Sequence, residues 1–319
     1  MAYRRFAGFL IVVTCFASQA LPQQKKKPEK EPVTQKLEAP KDPPAVTIGD
    51  SSRLVFHVSP LSAKGLLTPQ TRDALKAILK ENGGTQILHI RAFVAGSGDV
   101  RRIPQIVSEV FADKKLPLPS VSVILAGGLP LEGAQVVIES ISEAKKPVSP
   151  EGITFIAGQD SVDKLATAAG SATLLQVSCF VTDLSDAGTL TAAITKRFPS
   201  AAIDLVQTQR NPGRPGTQCE GVARGGKPAR LAFTGTRAAF GGEESDVKLA
   251  FTRLYKDLTD AGAAPAGIVS TNIYPISTAL GIVVRGMIEI PGAITIVPFE
   301  GVASMDASLA LDAVALAAN

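Results

Sequence analysis

The sequence predicts a mixed α+β fold built from three consecutive units in one chain. Three observations carry this. A strand-helix-strand-helix-strand-strand order recurs at about residues 48–146, 150–226 and 228–319. Apolar residues are 45% of the 319, enough for a packed core, while aromatics are 5% and Trp is absent, so that core is mostly aliphatic. Each unit is small, and a sheet with helices on one face must bury its other face against a partner.

The elements follow in chain order. Residues 1–20 have a basic start (Arg4, Arg5), an apolar run from Phe6 to Phe16, and Ser18-Gln19-Ala20 as a small-x-small cleavage pattern. They read as a secretory signal, so the protein is expected to be exported, to a periplasm or the outside. The alternative is lipid anchoring at Cys15, whose preceding Val12-Val13-Thr14 makes a poor lipobox. No later stretch reaches transmembrane length without charge or Pro. Residues 21–47 are rich in Lys, Glu and Pro and read as a disordered, solvated linker.

In the first unit, Gln70 to Glu81 has apolar residues at 74, 75, 78 and 79 and stops at Gly83-Gly84, which predicts a helix. Ile87 to Val94 alternates like a strand. A second helix opens at Asp99 and runs to about Phe111, with Pro104 breaking its regularity. Ser120–Leu125 and Gln135–Ile141 are strands. The middle unit compresses this order: strand Ile153–Gln159, a short helix to Ala169, strand Leu174–Thr182, a helix capped near Asp183–Asp186 and ending near Phe198, then strands at 204–206 and 218–223. The third has strand Leu231–Gly235, a helix from about Ser245 to Asp260 stopped by Gly262, strand Ile268–Tyr274, and closing strands at 295–297 and 309–315.

Charge excludes some functions. The formal charge is +4, but the signal holds +2 (Arg4, Arg5) and residues 21–44 hold six Lys against four acids, another +2. The folded part is therefore formally neutral, and no nucleic-acid partner is expected. His57 and His89 are the only histidines, too few and too scattered for a His-based metal cluster, so neither metal nor cofactor is expected. The Gly-rich Ala223-Arg224-Gly225-Gly226-Lys227 lacks P-loop spacing and reads as a tight turn between units. Cys179 and Cys219 remain after the signal. In an exported protein they could pair, or they could be two small buried side chains, and both readings stand.

At this point the chain resembles the Rid family (reactive intermediate deaminases, also called the YjgF or L-PSP endoribonuclease-like family). Phe155-Ile156-Ala157-Gly158-Gln159 is similar to the family's early aromatic-x-Ser-Gly-Gln strand, and Phe233-Thr234-Gly235 is a weaker echo. Gln70 to Gly83 resembles its first helix, and Cys179 to Asp186 its following strand and Leu-x-Asp turn. The stretches around Glu139, Glu220 and Asp312 resemble its acid-containing closing strand. The resemblance covers most of residues 50–319 in three degenerate copies. It implies chorismate-mutase-like (Rid-type) units, each a mixed sheet covered by helices, forming a single-chain pseudo-trimer that is a monomer in solution.

The resemblance also implies a site in the clefts between units. There the family uses an Arg in a Pro-x-Arg-Ser/Thr stretch to grip a substrate carboxylate, and the closing-strand acid to position water for enamine or imine hydrolysis. That Arg is absent three times: Pro119, Ala201 and Ala293 stand in its place. The acids persist as Glu139, Glu220 and Asp312, the candidate catalytic residues; their plainer reading is strand residues facing solvent or a neighbouring backbone group. Arg210 and Arg214, in the loop before the middle unit's closing strand, are candidate ligand-binding replacements or else solvated loop residues; Arg91 and Arg285 are further candidates. Three functions follow. The first is a pseudo-trimer that binds a small ligand or a partner without imine hydrolysis. The second is a deaminase with a rebuilt cleft. The third is an envelope structural module, with an envelope protein as partner.

Overall fold

The computed structural model describes residues 41–319, apart from 97, 210–215, 288, 290, 303, 305 and 319. The expected export signal, with Cys15, and residues 21–40 of the expected linker lie outside the described residues, as do Arg210 and Arg214.

The first strands are β1 (Val46–Asp50) and β2 (Leu54–Val58), separated by a 3-10 turn in which the Asp50 carboxylate accepts from the Ser52 amide at 2.9 Å. Then come α1 (Leu67–Glu81), β3 (Gln86–Ala95), α2 (Arg102–Asp113), β4 (Ser120–Ala126) and β5 (Val136–Glu143). The middle segment holds β6 (Ile153–Gln159), α3 (Val162–Ala169), β7 (Leu174–Val181), α4 (Ala187–Arg197), β8 (Ala202–Gln207) and β9 (Thr217–Arg224). The last holds β10 (Arg230–Thr234), β11 (Arg237–Ala239), α5 (Glu244–Asp260), β12 (Ala263–Pro275), α6 (Thr278–Met287), β13 (Ala293–Ile296), β14 (Gly301–Val302) and β15 (Leu309–Ala317).

Local chemistry accounts for most of these bounds. Helix α1 buries Ala74, Leu75 and Ile78 on one face and ends where Gly83 takes φ 58°, a conformation costly for a residue with Cβ. Pro104 does not disturb α2, because it falls in the first turn, where the missing N–H has no intrahelical partner to lose. Gly225 and Gly226 take φ 141° and 95° in the turn between β9 and β10, so the Gly-rich stretch is a turn. Helix α6 has no counterpart in the sequence reading. Its Gly281, Gly286 and β-branched residues make poor helix formers, and burial of Leu280 and Val284 against the sheet holds it.

Three mixed sheets result, with one shared strand order: β2-β5-β3-β4, β6-β9-β7-β8 and β10-β15-β12-β13. In each, the closing strand lies antiparallel between the first strand and the central strand, and the central and fourth strands run parallel. Helices α2, α4 and α6 make the crossovers that parallel pairs require. The mixed α+β fold read from the sequence is what the structure shows. The Lys/Glu/Pro-rich stretch gives way to strand at Val46, earlier than expected, and β1 joins the third sheet by pairing with β10. Strand β14 returns to the first sheet by pairing with β4.

First and fourth strands of different sheets touch in a cyclic sense: β2 on β8, β6 on β13, β10 on β4. The sheets therefore close a ring. Side-chain alternation sorts each central strand. Ile90, Ala92 and Val94 of β3 pack under helices, as do Val177, Cys179 and Val181 of β7. Cys179 and Cys219 face each other across β7 and β9, Cα atoms 4.1 Å apart, joined in a disulfide on this helix side. On the inner side, Phe93, Phe180, Tyr274 and Phe299 cluster, mostly edge to face, with ring centroids 5.6–5.7 Å apart and close one end of the interior.

Candidate functional site

The register of the sheets builds the site. On the inner face, Arg91 of β3 stands opposite Glu139 of β5 and Ser122 of β4. At the matching position of the second sheet, Ser178 of β7 stands opposite Glu220 and Asp204. In the third, Asn272 of β12 stands opposite Asp312 and Thr295. The three closing-strand acids are thus topological counterparts, and the ring brings them to one place.

Arg91 is the hub, only 6% exposed. Its Nε donates to Glu139 Oε2 at 2.5 Å, and its Nη2 reaches Glu220 Oε1 at 2.8 Å and Ser178 Oγ at 3.1 Å. Its Nη1 donates to Tyr274 Oη at 3.3 Å. The Asn272 amide is oriented so that its oxygen accepts from Arg91 Nη1 at 2.5 Å and its nitrogen donates to Glu220 Oε2 at 3.0 Å, which satisfies both ends. A guanidinium has five N–H donors; four are taken by these hydrogen bonds, and the Glu220 carboxylate adds an ion pair. The rings of Phe93 and Phe180 also lie 5.2 and 5.9 Å from its Cζ. Ser178 passes the network on, donating to Glu139 Oε1 at 2.5 Å. Tyr274 donates to Asp312 Oδ2 at 3.1 Å.

The carboxyls divide into types. Burial alone would raise Glu139, but the Arg91 charge and hydrogen bonds from Asp204, Arg91 and Ser178 outweigh it and hold this carboxyl below its ordinary value. Asp204 goes the other way: burial, then the adjacent Glu139 charge and the hydrogen bond to it, push its carboxyl well above the usual range. The upward shift favours the protonated, neutral form of Asp204 beside the charged Glu139. Asp312 is raised to about 6, chiefly by burial, which Arg91 and the Ser122 and Tyr274 hydroxyls only partly oppose. Burial, with Arg91 second, pushes His89 down to about 3, so its imidazole is neutral.

Asp312 yields a direct test. Its folded-state pKa lies above the ordinary 3.8, so folding holds its proton more tightly than unfolding does. Its penalty is present in full above about pH 6 and is lifted as the pH falls toward about 4. Asp312→Asn is expected to raise the unfolding free energy at neutral pH by about 1–3 kcal/mol, with the gain shrinking on acidification. Urea unfolding of both proteins across this range checks it; a gain that grows with acid would contradict the assignment.

One step along the strands from this network, His89, Gln176 and Ser270 occupy matching positions. They ring a cavity of about 60 Å³ whose floor holds Arg91, Glu139, Glu220, Asn272 and Asp312. Phe155, Phe233, Ile141, Val222 and Val314 wall it. His89 Nδ1 is held by Ser120 Oγ at 2.9 Å. Gln176, 6% exposed, makes no side-chain hydrogen bond to any described residue.

These positions correct several expectations. Glu139, Glu220 and Asp312 face neither solvent nor a neighbouring backbone group; they converge on Arg91. Nor do they lie in a cleft between two units. The cleft between β6 and β13 is lined mostly by apolar residues, with Lys227 as its sole ionisable described residue. Register puts Gly292, not Ala293, level with Pro119 and Ala201, since Ser120, Ala202 and Ala293 pair with His89, Gln176 and Ser270. Arg285 is exposed on α6. Sequence reasoning missed Ser178, Asp204, Asn272 and Tyr274, which become partners only through register; the available signal was a charged Arg91 inside a mostly apolar strand.

No protein-family model matches the chain, and no curated protein sequence does. Among solved structures, a member of the YjgF/YER057c/UK114 family from Mycobacterium tuberculosis is 20% identical, with 28% of this chain and 83% of that one covered at a TM-score of 0.25. A YjgF family member from Neisseria meningitidis is 14% identical, covering 28% of this chain and 86% of that one, at 0.25. A cyanuric acid hydrolase, described as an innovation by structural concatenation, is 9% identical over 83% of this chain and 100% of its own, at 0.25. These scores are too low to carry an argument; the fold class rests on the strand order of the three sheets. No described helix is long and apolar enough to cross a membrane.

Proposed function

We propose that this protein is an exported, single-chain pseudo-trimer of three Rid-like units that binds a small ligand where the units meet and does not perform the imine hydrolysis of the family it resembles. The carrying observation is the engagement of Arg91. Four guanidinium donors are hydrogen-bonded within the protein and two carboxylates already pair with its charge, so the one buried cation of the centre is not free to grip a substrate carboxylate. The Pro-x-Arg positions hold Pro119, Ala201 and Gly292 and offer no replacement. The cavity ringed by His89, Gln176 and Ser270 supports ligand binding over a purely structural role, because a scaffold would fill that space with apolar side chains.

An imine-trapping assay tests this. An amino-acid oxidase generates the imine, and semicarbazide captures what escapes hydrolysis. Trapping is expected to be unchanged by the mature protein across several imino acids. One observation keeps a second reading, a hydrolase, in play: Asp312 is buried at the cavity with a pKa near 6, suited to accepting a proton. Suppressed trapping that Asp312→Asn abolishes would establish that reading instead.

A further inference from the structure

The ligand's chemical class can be read from the charge of the cavity. Arg91 is the only cation among its described lining residues, and it faces Glu139, Glu220 and Asp312. Asp204 is protonated and His89 neutral, so neither changes the sign. One guanidinium against three acids leaves the floor anionic. Acids alone would not define a site, since such a cluster can also be closed on itself. Gln176 points further. The residue is 6% exposed, lines the cavity and makes no side-chain hydrogen bond to a described residue, so its amide is available to a guest in the cavity.

We propose that the central cavity binds a small organic ammonium ion, its charged nitrogen held by Glu220 and Asp312 on the floor and its apolar part enclosed by Phe155 and Phe233, with Gln176 completing the hydrogen bonds. The inference rests on reading the centre as a ligand pocket. Three features agree with it. Aromatic walls favour a cation over an anion, because ring faces carry negative charge. Ser270 adds a hydroxyl oxygen at the rim, and neutral His89 adds no positive charge. Size limits the guest: a cavity needs roughly 10–15 Å³ on this measure for one water, so about 60 Å³ suits a few non-hydrogen atoms. An amino acid would bring a carboxylate that finds no free cation among the described lining residues.

Affinity should depend on pH through Asp312. The groups facing it are Arg91 from β3, Ser122 from β4, Glu220 from β9 and Tyr274 from β12, and burial with the Glu220 charge keeps its pKa near 6. Protonation below that value removes charge from the floor, so acidification from about pH 7.5 to about pH 5 should weaken ammonium binding roughly 10-fold.

The test is an NMR titration of the mature protein, reading the Gln176 side-chain amide, with three matched probes: n-propylammonium, propionate and 1-propanol. The expected result is a saturable shift with n-propylammonium, at least about 10-fold weaker binding of propionate, and about 10-fold weakening of the ammonium by Asp312→Asn, a variant expected to be more stable than the parent. Tighter binding of propionate would overturn the cationic assignment and leave the pocket standing. Preference for 1-propanol would do the same. No shift with any probe would overturn both the assignment and the reading of the centre as a ligand pocket.

Discussion

Arg91→Met is expected to lower the unfolding free energy by about 3–5 kcal/mol. Burying a guanidinium with two carboxylates does not by itself stabilise a fold, because desolvation offsets much of the attraction. Removing only the cation is different. Glu139, 3% exposed, and Glu220 would keep their charge with no compensating partner, and Ser178, Tyr274 and Asn272 would each lose a donor. The loss should be largest near neutral pH and smaller in acid, where the carboxyls accept protons. Urea unfolding followed by circular dichroism measures it, since the chain has no Trp to report. Should Arg91→Met not fold, Arg91→Lys supplies a second reading: it keeps the charge, cannot reproduce the planar fork, and should cost about 1–3 kcal/mol. Adding Glu139→Gln to Arg91→Met should recover part of the loss, a coupling that neighbours in one network show and distant sites do not. A change under about 1 kcal/mol in Arg91→Met would mean that the centre is solvated and not a closed network.

The Cys179–Cys219 bridge is expected to contribute about 4 kcal/mol. It links residues 40 apart in sequence, and the entropy removed from the unfolded chain by closing such a loop has that magnitude. Cys179→Ala with Cys219→Ala should lower the unfolding free energy accordingly. Both cysteines are fully buried on the helix side of the second sheet, so their loss should leave the Gln176 resonance and ligand binding unchanged. A thiol titration of the unreduced, denatured chain from residue 21 onward, which holds only these two cysteines, checks the premise. Two free thiols would refute it, as would variants as stable as the parent.

The two predictions concern opposite faces of the sheets, Arg91 on the inner side of the first and the Cys179–Cys219 bridge on the helix side of the second, and this shows where the sequence was legible. Alternation in Ile87 to Val94 was visible as a strand, with Ile90, Ala92 and Val94 on one side and His89, Arg91 and Phe93 on the other. The repeated order of elements gave three units, and the observed sheets repeat one strand order. The acids at 139, 220 and 312 stood out for their closing-strand positions. Strand β1 was hidden because its Val46 and Thr47 follow directly on the Pro-rich stretch and its partner β10 lies nearly two hundred residues away. Helix α6 was hidden by residues with weak helix propensity that packing overrides.

By itself, the sequence determined the mixed α+β class and the order of most elements. Each of these depends on local pattern: side-chain period, turn residues and chain position. The tertiary structure alone decided that three acids from distant strands meet one guanidinium, that Asp204 keeps its proton while Glu139 does not, and that Gln176 lacks a described partner. Those facts depend on register and on closure of the ring. A shift of one residue in any strand would turn Arg91, Ser178 or Asn272 from the shared interior to the helix side. Ionisation then follows from burial and distance, quantities that arise only when the three sheets face one another.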